Sequence, residues 1–176
     1  VDVFEAIDAR YSYRGEFLDR PVPRKDLVKI VQAGIQAPSG CNEQGTSFVI
    51  VDEAQLLREI AGIVDRPVCN TARAMIVCVA APRPVYHGYS FHVEDCAAAV
   101  ENMLLATAAL GYATVWLDGA LRLDDDRAAR RIAERLGVPE GRQVRILLPL
   151  GVAVNPGSQK EKLPFQRRAW FNRFGG

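Results

Sequence analysis

Eight consecutive apolar residues, AMIVCVAA at positions 74–81, constrain this chain more than any other segment. A run of strand length with no polar position can leave neither face in water. It therefore predicts a strand in the middle of a sheet, covered on both sides. A second run, residues 144–154, predicts another buried strand, kinked at Pro149 and Gly151. SFVIV at 47–51 reads as a strand from its β-branched content, and residues 112–117 as a fourth. Helical stripes lie between. Val3, Phe4 and Ile7 form a short one within residues 1–9. Leu27, Ile30, Val31, Gly34 and Ile35 share one face of a helix that Pro38 ends. Residues 54–63 carry another helical pattern. Residues 95–110 form the longest, with Val100, Met103, Leu104 and Thr107 on one stripe and Gly111 at its C-cap. Residues 124–126, three aspartates, stand where caps belong for a helix reaching Leu136, and Gly137 follows it. Residues 82–94 lack a period and read as a loop.

Several classes are excluded by what is missing. The 22 basic and 21 acidic residues leave a formal charge of +1, so there is no bulk attraction to nucleic acid or to anionic lipid. Any anion must be gripped locally. No apolar stretch approaches the roughly 20 residues of a membrane span. The start, VDVFEAIDARYSYR, has no apolar leader core. The four cysteines (Cys41, Cys69, Cys78, Cys96) form no C-x-x-C and have only His87 and His92 as imidazole company, so no metal site is expected. Scattered thiols read as reduced, and the expected location is cytoplasmic. G-x-G-x-x-G after a strand, G-x-x-x-x-G-K-[ST], G-x-S-x-G and H-E-x-x-H are all absent. At 176 residues, one domain spanning 1–176 is expected.

Three features carry chemistry. Arg10, Ser12 and Arg14 alternate along an extended segment, so they share one side of it. Guanidinium forks around a hydroxyl suit an oxyanion. Lys160 and Lys162 repeat the two-residue spacing near the other end of the chain. APSGCNEQ, residues 37–44, offers backbone N–H groups and side-chain amides after a helix end. Taken singly, each also fits a solvated charge patch or a plain helix-ending loop.

In sequence, these segments resemble the nitroreductase family of FMN enzymes. EAIDARYSYRGEF, then PVP, a helix, APSGCNEQ and FVIV follow the family's opening pattern. EDCAAAVENMLLATAALGYATVWLDGALR resembles its long central helix and the strand that meets the flavin ring. LGVPEGRQVRILLPLGVAVNPGSQKEKLPFQ resembles its closing strand and K-x-[KR]-L-P tail. The resemblance implies an α+β, nitroreductase-like fold, with a central mixed β-sheet flanked by helices, assembled as a homodimer. Arg10 and Ser12 would hold the ribityl-phosphate end of FMN, with Lys160 and Lys162 completing the phosphate grip and Arg14 near the N1–C2=O edge. Pro38, Ser39, Gly40 and Asn42 would reach the flavin from the partner subunit. Trp116, Leu117, Asp118 and Gly119 would lie along the ring, their backbone N–H groups near N5.

The implied activity is an FMN-dependent oxidoreductase. Electrons from NADH or NADPH would pass through flavin N5, in ping-pong order, to a nitroaromatic, a quinone or a similar small acceptor. A flavin storage or sensor protein without nicotinamide turnover remains an alternative, as does a flavin enzyme acting on one specific metabolite. The chain departs from the pattern at Tyr11, where the family has a second arginine, and at Gly45–Thr46, where it has Pro-Trp. The latter either widens the pocket or leaves the aromatic wall to the loop carrying Tyr86, Tyr89 and Phe91. That loop compresses the segment that usually forms a flap over the site. The tail aromatics Phe165, Trp170, Phe171 and Phe174 are expected to wrap the partner.

Overall fold

A computed structural model describes residues 1–175. The apolar run forms β2 (Ala74–Ala80), every residue of which is buried. Its side chains alternate between two cores. Met75, Val77 and Val79 point into one, and Ala74, Ile76, Cys78 and Ala80 into the other. Two helices, α2 (Arg24–Ile35) and α5 (His92–Ala109), cover the second core. The first is covered by α3 (Ala54–Val64), the short α4 (Pro67–Asn70) and α6 (Leu123–Leu136). The result is three layers, helices on both faces of one sheet.

The sheet order is β1-β2-β4-β3, with β1 (Ser47–Val51), β4 (Gln143–Gly151) and β3 (Ala113–Thr114). All the ladders between these strands are antiparallel. The four-stranded sheet is therefore antiparallel where a mixed one is expected; a parallel pairing occurs in the isolated bridge between Ser12 and Thr114, beside β3. A bulge opposite Cys78 and Val79 leaves Arg145 unpaired, so Val144 and Leu147 reach the same core across an odd spacing. Among the described residues, no helix is long and apolar enough to cross a membrane.

Several elements differ from expectation. The strand expected over 112–117 is a ladder only at Ala113–Thr114, and pairing resumes at Leu117 opposite Leu147. The register puts Val115 opposite Pro149, which has no N–H to give. Thr114 Oγ1 instead donates to the Pro149 carbonyl at 2.7 Å. The long helix starts at His92, shortening the expected loop. Asp124, Asp125 and Asp126 do not cap α6: their φ values are 50°, 56° and 58°, and no side chain bonds the helix N-terminus. Asp125 pairs with Arg130 at 3.2 Å instead. Gly137 does end that helix in the left-handed region, at φ 64°.

The helix α1 (Val3–Ala9) begins at an Asp2–Glu5 capping box, yet its apolar stripe does not face the core. Val3, Phe4 and Ile7 are 59%, 74% and 42% exposed, and only Ala6 is buried. Ile35 likewise turns outward from α2. Gly34 matters to that helix, because a Cβ there would lie 2.9 Å from Met103 Cγ. Its absence lets α2 and α5 pack closely.

Candidate cofactor cleft

The cleft starts where α1 stops. Arg10 is the C-cap, in extended conformation, and the chain then runs alongside β3. Tyr13 N–H donates to the Thr114 carbonyl at 2.9 Å. The Tyr13 ring is buried against Phe17, with centroids 5.2 Å apart, and its hydroxyl donates to the Glu16 carbonyl. Extended geometry then turns Ser12 and Arg14 outward, both exposed. Leu18 N–H donates to Val152 and Val154 N–H to Glu16, which pins the segment to the chain leaving β4.

That exit brings the second basic pair back. Gln159 Nε2 donates to the carbonyls of Ile7 at 2.9 Å and Arg10 at 3.0 Å, tying the tail across the end of α1. Tyr11 is half-buried beneath the same crossing, and a Cβ on Gly157 would stand 3.1 Å from its ring. Arg10, Tyr11, Ser12, Arg14, Lys160 and Lys162 thus line one cleft of about 290 Å³, together with Ser158 and Gln159. All six are residues the sequence singles out; Ser158 and Gln159 are not. Gln159 had no local signal, since its partners lie 149 and 152 positions away. Four cations face this cleft, and among the described residues the nearest carboxylate to any of them is Glu101, 3.8 Å from Arg10 Nε. Arg10 is the most enclosed of the four, with its side chain 21% exposed.

The segment Trp116 to Gly119, expected along the flavin ring, continues the same sheet edge. Trp116 is half-buried on the α5 side, while Leu117 packs on the opposite side and exchanges two hydrogen bonds with Leu147, at 3.0 and 2.9 Å. Asp118 then opens a single 3-10 turn, its carbonyl accepting from Leu121 N–H at 2.9 Å. Gly119 is exposed, with open space where a Cβ would stand.

The loop of residues 37–44 lies elsewhere. Gly40 N–H donates to Asp95 Oδ1 at 2.8 Å, and Gln44 N–H to Ser39 Oγ at 3.0 Å. Cys41, Asn42 and Gln44 hold φ values of 53°, 53° and 52°. Phe91 lies directly over Gly40, where a Cβ would come within 2.3 Å of its ring. Phe91 and Gly45 line one small cavity, but the side chains nearest Gly45 are those of Ala81 and Glu43. Tyr86 and Tyr89 remain exposed in a tight turn. Pro38 and Ser39 line a separate cavity of about 140 Å³ at the first turn of α5. Ala108, which flanks Arg10 at the other end of that helix, is about 20 Å further along at 1.5 Å per residue. Within one chain, this loop does not join the basic cleft. Asp95, buried and holding Gly40, is a further residue that the sequence does not single out.

The chain resembles proteins of known family. Residues 7–68 and 65–152 match the model of the nitroreductase family. A protein of Archaeoglobus fulgidus, provisionally described as an NADH dehydrogenase/NAD(P)H nitroreductase, is 36% identical over 137 residues, covering 77% of this chain and 76% of the relative. A protein of Methanothermobacter thermautotrophicus with the same provisional description is 34% identical over 167 residues, covering 90% and 82%. The solved structure of an FMN-dependent nitroreductase from Clostridium difficile shares the fold, with a TM-score of 0.83 at 23% identity, covering 97% of this chain and 99% of that one. With its fold, its motifs in order and these matches, the chain belongs to the nitroreductase family.

Proposed function

We propose that this chain is an FMN-dependent oxidoreductase that takes electrons from NADH or NADPH and delivers them to a small acceptor such as a nitroaromatic or a quinone. One observation carries the reading: two basic segments some 150 positions apart converge, with Ser12, on one small cleft. The donor set fits the terminal phosphate of FMN. A phosphate monoester carries close to two negative charges at neutral pH and several acceptor oxygens. Arg10 supplies a planar fork, Lys160 and Lys162 point charges, and Ser12 a hydroxyl. The provisional descriptions of the two relatives name NAD(P)H, and the fold neighbour is named FMN-dependent.

When bound, FMN supplies the redox chemistry, accepting hydride at N5 and releasing electrons to the acceptor. The protein's own tasks are to grip and to orient. Arg10, Ser12, Lys160 and Lys162 hold the phosphate end. Arg14 sets a cation near the N1–C2=O edge, where it favours negative charge on the ring. Trp116 to Gly119, on the edge that Thr114 shares with Ser12, would lie along the ring.

The active form is a homodimer with shared sites. Pro38, Ser39, Gly40 and Asn42 are remote from the cleft of their own chain, so they serve the partner's flavin. The outward apolar stripe of α1 and the exposed Phe171 and Phe174, 82% and 89% accessible, are the surfaces this assembly covers.

The test is direct. Purified protein is yellow, releases FMN on heating, and oxidises NADH or NADPH with menadione as acceptor. FAD as the dominant flavin, or a flavin-loaded protein inert toward both nucleotides, overturns the reading.

A further inference from the structure

A second basic groove lies on the opposite face of the sheet from α5, between the end of α3 and the start of α6. It encloses about 350 Å³ and carries Arg66, Arg127 and Arg131 on its walls over a floor that includes Ile63, Ala120 and Ala128. The arginines of α6 divide by role. Arg130 pairs with Asp125, and Arg135 with Glu59. Arg127 and Arg131, one turn apart on the groove face, make no ion pair among the described residues, and neither does Arg66. Two carboxylates also border the groove, Asp65 and Asp124, but neither comes within ion-pair distance of those arginines. Three guanidinium forks therefore stand ready for an anion.

Position narrows the ligand. Ala120 directly follows Gly119, so the segment proposed to lie along the flavin ring runs off the sheet edge into this groove. We propose that the groove binds phosphate groups of the pyridine dinucleotide donor, an assignment that rests on the donor reading above. A nicotinamide placed at the ring must send the rest of its dinucleotide outward. The pyrophosphate carries two negative charges, and NADPH adds a 2′-phosphate. A quinone or nitroaromatic acceptor carries no such charge and would leave the three arginines without a task.

The test uses the FMN-loaded protein and an Arg127→Gln/Arg131→Gln double variant, with Arg127→Lys/Arg131→Lys as the charge-preserving control. Calorimetric titration with NAD⁺ and NADP⁺ gives affinity without turnover. The expected result is about tenfold weaker binding in the glutamine variant, a matching rise in KM for the reduced dinucleotide, and partial recovery in the lysine variant. N-benzyl-1,4-dihydronicotinamide has no phosphate, and its kcat/KM should be the same in all forms. Loss for both dinucleotides assigns the groove to the pyrophosphate; loss for NADP⁺ and NADPH alone assigns it to the 2′-phosphate. Unchanged dinucleotide affinity in a protein that oxidises NAD(P)H overturns the groove while leaving the donor reading intact. An equal loss with the benzyl compound also overturns it. A flavin-loaded parent that oxidises neither dinucleotide nor the benzyl compound overturns the donor reading, and the groove falls with it.

Discussion

The basic cleft and the loop of residues 37–44 make opposite uses of the chain. The cleft draws residues from the two ends of the sequence and completes itself within one molecule, because β3, β4 and the Gln159 tether converge at the end of α1. The loop is built from eight neighbouring residues, and its backbone is held by Ser39 and Asp95, yet it faces no cation of its own chain's cleft. A long-range site that is whole and a local motif that is stranded suggest different obligations. In the proposed account the first grips the phosphate, and the second is presented to another copy.

The largest effects come from breaking the cleft. Arg10→Ala and Lys162→Ala should each remove a charge-assisted phosphate contact, costing roughly 1.5–3 kcal/mol, or about ten- to a hundredfold in FMN affinity. Riboflavin, which lacks the phosphate, should bind all forms equally. Fluorescence titration of the apoprotein with both ligands checks this, and thermal unfolding of the apo form should barely move. Breaking the loop comes next. Gly40→Val places a branched side chain where even a Cβ would lie 2.3 Å from the Phe91 ring, so the loop or Phe91 must shift, at a cost of roughly 1–3 kcal/mol. Here FMN and riboflavin should weaken together, because in the proposed account the loop meets the ring and not the phosphate.

A smaller effect separates tether from charge. Gln159→Ala deletes two neutral hydrogen bonds and no cation, worth roughly 1 kcal/mol or about fivefold in FMN affinity at this half-buried position. If the loss equals that of Lys162→Ala, the tether and not the charge dominates the grip. The thiols give the mildest contrast. Cys41 on the loop is exposed, while Cys69, Cys78 and Cys96 are buried. A disulfide reagent should therefore label one thiol in the native protein and four after unfolding. Burial pushes the Cys69 thiol from its ordinary 9.0 to about 11. Because the folded value is the raised one, the stability tied to this thiol is present below pH 9 and is lost as pH rises toward 11. Urea unfolding across that range should show the decline, and Cys69→Ala should flatten it.

Much of the frame was legible because it obeys periodicity. The run at 74–81 could only be a central strand, and the stripe Val100, Met103, Leu104, Thr107 is buried as its spacing requires. The misses have physical causes. The stripe of α1 has the right spacing but nothing of its own chain to cover it, and a sequence does not say whose surface will. The strand at 112–117 breaks because its partner is a proline, which only the register reveals. Three adjacent aspartates look like caps, yet all adopt left-handed backbone and the helix goes uncapped. Of the site, Arg10, Tyr11, Ser12, Arg14, Lys160 and Lys162 line one cleft, a convergence of two distant segments that local spacing does not reveal. Gln159 and Asp95 escaped because their partners are 55 or more positions away.

The central claim is that each flavin site joins the cleft of one chain to the loop of another. Mixed dimers test it most directly. An Arg10→Ala/Lys162→Ala chain with an intact loop is co-refolded with a Gly40→Val chain with an intact cleft, and the mixed species is isolated through different tags. Each parent variant alone should purify without flavin. Sharing across the interface puts both defects into one site and leaves the other intact, so the mixed dimer should bind a single FMN with the affinity of the unmodified protein. A mixed dimer as empty as either variant would contradict the account, because it would mean that each chain completes its site with its own loop.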